Sequence, residues 1–253
     1  AVDPVVDIAS TQADASSEPQ AEPPAPTTGS DEGDLRVLAV SSEVHDTQSL
    51  VDAALDDVRT VVFDGDDSLE DILDQIRDAL GNTKAQSIAF ATHSDGPGEF
   101  DLTDQHTVTT ASLIGDPDLA GFWTGVGNFL SEQGRIDILG CDVAGDDTGL
   151  NLVAELEHLT GHEVAASDDA TGNVEQGGDW LLETDHINVL ALYFNAEAIA
   201  RFSGVLADNA APENTAPSTV SVNEDSPLVF NTANGNLISI SDIDAGSGNL
   251  NTT

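Results

Sequence analysis

Two stretches of the chain decide its fold, Ser87-Ile88-Ala89-Phe90-Ala91-Thr92-His93 and Arg135-Ile136-Asp137-Ile138-Leu139-Gly140-Cys141. Both are short apolar runs typical of buried strands. In an α/β sheet the carboxyl ends of parallel strands meet at one edge, where active sites are built. If the two strands are neighbours, His93 and Cys141 form a dyad with a cysteine nucleophile. In such a dyad the imidazole lowers the pKa of the thiol and later protonates the leaving group.

Each of these two residues also has a structural interpretation. Cys141 is the only cysteine in the chain, and a lone cysteine is usually a small buried hydrophobe. A histidine that follows a strand usually belongs to a polar loop. A zinc site is not favoured elsewhere, because Gly161 ends the predicted helix between His158 and His162 and no third ligand follows.

The charge of the chain is strongly negative. Its 253 residues include 47 Asp and Glu against 6 Lys and Arg, which gives a formal net charge of -41. Such a chain repels nucleic acid and anionic membranes, so neither is an expected partner. Two explanations remain open, a surface solvated for high salt and a chain that binds divalent cations, and both suit an extracellular protein. No apolar run reaches the roughly 18 residues of a membrane-spanning helix.

Strands and helices alternate through the middle of the chain. Apolar runs predict strands at 35–40, 58–63, 87–92, 136–139 and 163–166, with a sixth at 180–183. Apolar residues at helical spacing predict helices at 48–55, 69–80, 119–130 and 150–159, and Ser68 with Asp71 predicts a capped start for the second. The predicted fold class is α/β, with a mostly parallel sheet and helices on both faces.

Composition divides the chain into four regions. Residues 1–34 are rich in Ala, Pro, Ser, Asp and Glu and are predicted to be a disordered linker. Residues 35–206 form the α/β domain, and 207–213 form a second linker. Residues 214–253 alternate apolar and polar positions through Val220–Phe230 and again after Asn234-Gly235. This pattern predicts an all-β module with an Asn-Gly turn that stops partway.

Three motifs resemble a known family. They are Thr92-His93-Ser94-Asp95-Gly96-Pro97-Gly98, Leu139-Gly140-Cys141-Asp142-Val143-Ala144-Gly145 and Gly177-Gly178-Asp179-Trp180-Leu181-Leu182-Glu183. The order strand, His, hairpin, helix, strand, Gly-Cys resembles the caspase-like cysteine peptidases. More closely, residues 35–206 resemble the uncharacterised caspase-like domain near the amino terminus of giant bacterial repeat adhesins. Residues 214–253 resemble the start of a cadherin-like or VCBS-type tandem repeat.

The resemblance implies a caspase-like mechanism. His93 would be general base and acid, and Cys141 the nucleophile, without a cofactor. The expected reaction is cleavage of a protein or peptide, including the chain itself, through a thioester. Backbone NH groups of Ser94, Gly96 and Gly140 would hold the oxyanion, although the family usually has glycine where Ser94 stands. Acidic residues near the strand ends would line a pocket for a basic side chain or would be plain surface: Asp142, Asp168 and Asp169.

The resemblance also suggests a setting. It implies a secreted or cell-surface bacterial protein whose α/β domain adjoins downstream repeats of the same chain. Four acidic residues are candidate Ca²⁺ ligands of the repeat: Glu224, Asp225, Asp242 and Asp244. The competing hypothesis is a catalytically silent module that anchors or spaces calcium-binding adhesive repeats.

Overall fold

The computed structural model describes residues 35–207, 213–225 and 227–241. The predicted linker at 1–34 and most of the predicted linker at 207–213 lie outside the described residues. Within 35–207, helices and strands alternate as the sequence predicts. In chain order the elements are β1 (Arg36–Ser41), α1 (Thr47–Ala53), β2 (Val58–Phe63), α2 (Leu69–Leu80), β3 (Ala85–Ala91), β4 (Glu99–Thr103), β5 (His106–Thr109), α3 (Thr110–Gly115), α4 (Pro117–Gly127), β6 (Leu130–Leu139), α5 (Asp147–Thr160), β7 (Glu163–Ala166), β8 (Leu181–Leu182), β9 (Ile187–Asn188), α6 (Leu190–Tyr193) and α7 (Ala196–Ile199).

Five strands form the central sheet in the order β2-β1-β3-β6-β7. Every neighbouring pair in this sheet is parallel. Because the chain moves outward in one direction from β1 to β2 and in the other from β3 to β7, the strand order reverses between β1 and β3. Crevices at such a reversal, beyond the carboxyl ends of the strands, are where doubly wound sheets bind ligands.

Helices cover both faces of the sheet. Alternation along β1 places Val37 and Ala39 in one buried cluster and Leu38 and Val40 in the other. The first cluster includes the apolar faces of α2, α4 and α5, and the second includes those of α1, α6 and α7. The predicted α/β class, with a parallel sheet between two helical layers, is confirmed and is consistent with a caspase-like α/β fold.

Helix α2 shows how local sequence produces an element. The Ser68 side chain accepts a hydrogen bond from the Asp71 amide, and Asp71 reaches back to the Ser68 amide, which forms the predicted capping box. Ile72 and Ile76 on one face of the helix are fully buried, and each contributes about 1.5–3 kcal/mol by burial. Gly81 ends the helix with φ 60°.

A buried polar network joins the sheet to α6. Asp137 on β6 is fully buried and accepts hydrogen bonds from Arg135 at 2.8 and 3.2 Å. The Tyr193 hydroxyl lies 2.5 Å from both the Asp137 carboxylate and the Ser87 hydroxyl. Burial raises the pKa of Asp137, and the Arg135 guanidinium opposes that rise. A carboxylate in this position needs all of these partners, because an unsatisfied buried charge is costly.

Two boundaries differ from the sequence prediction. The sixth strand expected at 180–183 does not join the sheet, because Leu181–Leu182 pairs antiparallel with β9 in a separate two-stranded ladder. At the free edge of β7, the Ala166 amide instead donates a hydrogen bond to the Thr184 hydroxyl at 3.0 Å. The helix expected at 119–130 ends earlier, and Leu130 is the first residue of β6.

The described residues after 213 contain a short antiparallel pair, β10 (Glu213–Thr215) with β11 (Ser239–Ser241). At Asn234-Gly235, where a turn between two strands is expected, the chain instead forms a 3-10 turn over Thr232–Asn234 that ends with Gly235 in the left-handed region at φ 68°. The strand expected along Val220–Phe230 is not formed in the described part of that stretch. Among the residues that the structure describes, no helix has the length and apolar character needed to cross a membrane.

Candidate active site

The two predicted catalytic residues follow neighbouring strands at the same height. In the parallel pair β3 and β6, Ala91 is opposite Leu139, and the Thr92 amide extends the ladder by donating to the Leu139 carbonyl at 3.1 Å. His93 and Cys141 each stand two residues beyond this last pair. The structure therefore places both residues at the carboxyl edge of the sheet, on adjacent strands.

The His93 ring lies between two backbone carbonyl groups. Its Nδ1 is 2.6 Å from the carbonyl oxygen of Ala207, and its Nε2 is 2.9 Å from that of Glu43. A carbonyl oxygen only accepts, so a neutral ring donates to one of the two and a doubly protonated ring donates to both. The surroundings of His93 are therefore built for a proton donor.

Cys141 is held in a backbone pocket. The side chain is 6% exposed, and the Thr171 amide donates to Sγ at 3.3 Å. Burial raises the pKa of the Cys141 thiol from an ordinary 9.0 to about 11, with smaller contributions in the same direction from the carboxylates of Asp169 and Asp142. A dyad with an activated thiol would have the opposite shift. In this conformation Cys141 is a protonated, protected thiol.

Residues 204–207 lie between these two residues, with a bend at Leu206; we call this piece of the chain the cleft segment. The Cys141 amide donates to the Leu206 carbonyl at 3.1 Å, and the next carbonyl, that of Ala207, faces His93. The Leu206 amide donates to the Thr171 carbonyl at 2.9 Å. Ala207 also forms a parallel bridge with Ser94. The Cys141 amide and the His93 ring thus contact consecutive carbonyl groups of the cleft segment.

The expected oxyanion residues have other backbone roles. The Ser94 hydroxyl, which is buried, donates to the carbonyls of Glu99 and Gly96 and accepts from the Gly96 amide at 3.2 Å. The Gly140 carbonyl accepts from the Thr171 hydroxyl at 3.1 Å. The amide that donates to the Leu206 carbonyl of the cleft segment belongs to Cys141. The sequence did not predict the Cys141 amide as an oxyanion donor.

The three acidic residues expected near the pocket do come together beside Cys141. The Asp142 amide donates to the Asp169 carbonyl at 2.5 Å, and Asp142 has φ 58°, a left-handed conformation that is unusual for a non-glycine residue. Burial and then the charges of Asp146 and Asp168 raise the pKa of Asp142. Asp168 and Asp169 are exposed.

One acidic group has the spacing of a cation site. Carboxylate oxygens of Asp168, Asp169 and Glu183 lie within 4.8 Å of one another. Glu183 also accepts from the Ser167 hydroxyl at 3.1 Å and the Asp168 amide at 3.0 Å, and these bonds explain its position without an ion. Of the candidate Ca²⁺ ligands, Glu224 and Asp225 lie in an exposed turn, whereas Asp242 and Asp244 lie outside the described residues.

A polar cleft opens on the side of His93 opposite the cleft segment. It has a volume of about 320 Å³ and lies where the strand order reverses, between the ends of β1 and β3. Its lining includes Ser41, Glu43, Thr92 and Asp101. The imidazole therefore stands between this cleft and the cleft segment, in the crevice that doubly wound sheets use for ligands.

Thr171, Leu206 and Ala207 are the site residues that sequence reasoning missed. A signal for them exists in Gly172 and Gly178, which permit the close approach of another backbone. A Cβ on Gly172 would lie 2.7 Å from the Gly204 carbonyl oxygen, and a Cβ on Gly178 would lie 3.0 Å from the Val205 side chain. Glycines that admit a backbone indicate a peptide nearby, but they do not say which one.

One comparison with known proteins gave a match. A family model described as a domain of unknown function (DUF4347) matches residues 37–206, which is more than half of the chain. No curated protein and no solved structure matches the chain.

Proposed function

The chain therefore belongs to the DUF4347 family of domains of unknown function, and we propose that its α/β domain is a latent caspase-like cysteine endopeptidase. The observation that carries the proposal is the cleft segment. This peptide lies at the carboxyl edge of the sheet, with one carbonyl on the Cys141 amide and the next on the His93 ring. A groove that holds a peptide between a thiol and an imidazole has the parts that acyl transfer needs.

Each part has a chemical role in the proposed reaction. His93 takes the proton of the Cys141 thiol, the sulfur attacks the carbonyl carbon of the bound peptide, and the Cys141 amide stabilises the developing oxyanion. The His93 ring passes the proton to the leaving amine, and water then hydrolyses the thioester. The fully formed groove and the protonated thiol together describe a latent enzyme, because the thiolate is the nucleophile.

A second candidate function is a catalytically silent structural module. The observation that favours it is the protection of Cys141, which is 6% exposed and has a pKa of about 11. Under this alternative the thiol fills space beneath Thr171, and the cleft segment is a permanent part of the domain.

The proposed setting is the surface of a bacterium or its surroundings, in a repeat protein of the adhesin kind. The net charge of -41 and the single cysteine suit an extracellular chain that is held together by packing. In this setting Glu224 and Asp225 would contribute to Ca²⁺ binding between repeats. If these carboxylates bind Ca²⁺, added Ca²⁺ should raise the melting temperature of the chain, and an unchanged melting temperature would contradict that part of the proposal.

The experiment for the peptidase uses fluorescein-labelled casein and the whole chain between pH 7 and pH 10. We expect slow cleavage across this pH range that disappears in Cys141→Ala. The matched control is His158→Gln, which changes a histidine on α5 away from the cleft. Cleavage that persists in Cys141→Ala, or a chain that cuts nothing across the whole pH range, would favour the structural module.

A further inference from the structure

The cleft segment occupies its groove as a substrate would, through its backbone. The Gly204 carbonyl accepts from the Asn173 amide at 2.9 Å, the Leu206 amide donates to the Thr171 carbonyl at 2.9 Å, and the Leu206 carbonyl accepts from Cys141 at 3.1 Å. Hydrogen bonds from alternate backbone groups are how an extended peptide adds to a strand-like edge.

The groove is shaped for close backbone approach. Gly172 has φ 138°, and a Cβ there would come within 2.8 Å of the Val205 Cα. A side chain at this position would push the peptide away from Thr171 and so from Cys141. The glycine therefore sets the distance between the peptide and the site.

One carbonyl of the cleft segment meets the backbone amide of Cys141. Of the carbonyls in the cleft segment, that of Leu206 accepts from the amide of the nucleophile, where an oxyanion would be stabilised. Ala207, whose nitrogen would be the leaving group, has its carbonyl oxygen 2.6 Å from His93 Nδ1. The Leu206 side chain is fully buried in the apolar cluster that contains Phe202 and Tyr193.

We propose that the Leu206–Ala207 bond of the chain itself is the substrate of this site, and that the site selects an apolar residue before the cleaved bond. This inference rests on the proposed peptidase function. His93 takes the proton of the Cys141 thiol, the sulfur forms a bond to the Leu206 carbonyl carbon, the bond to the Ala207 nitrogen breaks, and His93 passes that proton to the nitrogen. Water then adds hydroxide to the Leu206 carbon, the carbon–sulfur bond breaks, and the remaining proton of that water returns through His93 to the sulfur.

The test follows the intact mass of the purified whole chain at pH 8, 9 and 10. We expect two products, residues 1–206 and residues 207–253, with Ala207 as the new amino terminus. The cleavage rate should change by less than about threefold across these pH values, because the proton that leaves the thiol stays on His93 until the nitrogen takes it and none is lost to solvent before attack. Cys141→Ala should remain uncut.

Two substitutions at the bond test its identity. Leu206→Met keeps an apolar side chain of similar volume and should be cut within about threefold of the original rate. Ala207→Pro changes a half-buried residue and replaces the leaving N–H group, so this bond should stay intact. Circular dichroism confirms that each variant is folded, and a cut at the same place in a folded Ala207→Pro chain would overturn the proposal.

Two further substrates are added to the same samples: a peptide with the sequence of residues 201–208, and the labelled casein. They distinguish failure of the Leu206–Ala207 inference from failure of the proposed peptidase function. If casein is cut in a Cys141-dependent manner while the chain stays whole or is cut elsewhere, the inference about Leu206 fails and the peptidase stands. If neither casein, peptide nor chain is cut at pH 10, both fail. If the peptide is cut between its Leu and Ala, the preference for an apolar residue is supported independently of the chain's own geometry.

Discussion

Iodoacetamide should modify Cys141 about a hundredfold more slowly in the folded chain than in the chain unfolded in guanidinium chloride. The reagent reacts with the thiolate, so its rate follows the thiolate fraction. Burial raises the pKa of the thiol from an ordinary 9.0 to about 11. This difference lowers the thiolate fraction about a hundredfold at any pH well below both values. Because the side chain is 6% exposed, limited access makes a hundredfold a lower bound.

The assay can use the chain without further substitutions, because no other thiol competes for the reagent. Cys141 is the only cysteine, so the mass increase of the whole chain reports this thiol alone. The logarithm of the rate should rise with a slope of about one from pH 8 to pH 10. Asp169→Asn removes a neighbouring charge that raises the pKa and should increase the rate modestly. A folded chain that reacts as fast as the unfolded one, or whose rate levels off below pH 9, would refute the argument from burial.

Three further predictions concern stability. As the pH rises from 9 through 11, the free energy of unfolding of the original chain should fall by about 3 kcal/mol relative to that of Cys141→Ala. The reason is that a raised pKa stabilises the fold only while the thiol is protonated. Equal dependences on pH for the two chains in urea unfolding experiments would contradict this. Gly172→Ala should cost several kcal/mol, since its Cβ would meet the backbone of the cleft segment, whereas Gly177→Ala has the same sign of φ and open space and should cost about 1 kcal/mol. Tyr193→Phe should cost about 1–3 kcal/mol by leaving the buried Asp137 carboxylate with fewer partners. A loss no larger than that of an exposed control such as Ile114→Ala would show that water replaces the hydroxyl.

The parts of the fold that the sequence predicts are those with a strong local signal. Short, mainly apolar stretches predict the strands Val58–Phe63 and Glu163–Ala166 with the bounds that the structure has. The capping box at Ser68 predicts the start of α2. The first half of β6 escapes prediction because Ser131–Arg135 is polar, and its strand conformation comes from pairing with β3. Pairing partners distant in the chain leave no local periodicity.

The residues of the candidate site also fall into those with a local sequence signal and those without one. His93 and Cys141 can be predicted because a strand precedes each of them and parallel strands end at one edge. The cleft segment cannot be predicted from its own residues, because its geometry depends on Thr171 and Cys141, which lie 35 and 65 residues before Leu206 in the chain. The raised pKa of the thiol likewise depends on burial by a segment that the sequence pattern places at the end of the domain.

The position of the cleft segment also has a mechanical consequence. Residues beyond 207 are connected to the α/β domain through the same peptide that lies between His93 and Cys141. A pulling force on that end of the chain would act first on the hydrogen bonds of Ala207 and Leu206, before it reached any helix of the domain. The hydrogen bond between the Leu206 carbonyl and the Cys141 amide would therefore be among the first in the domain to break under load.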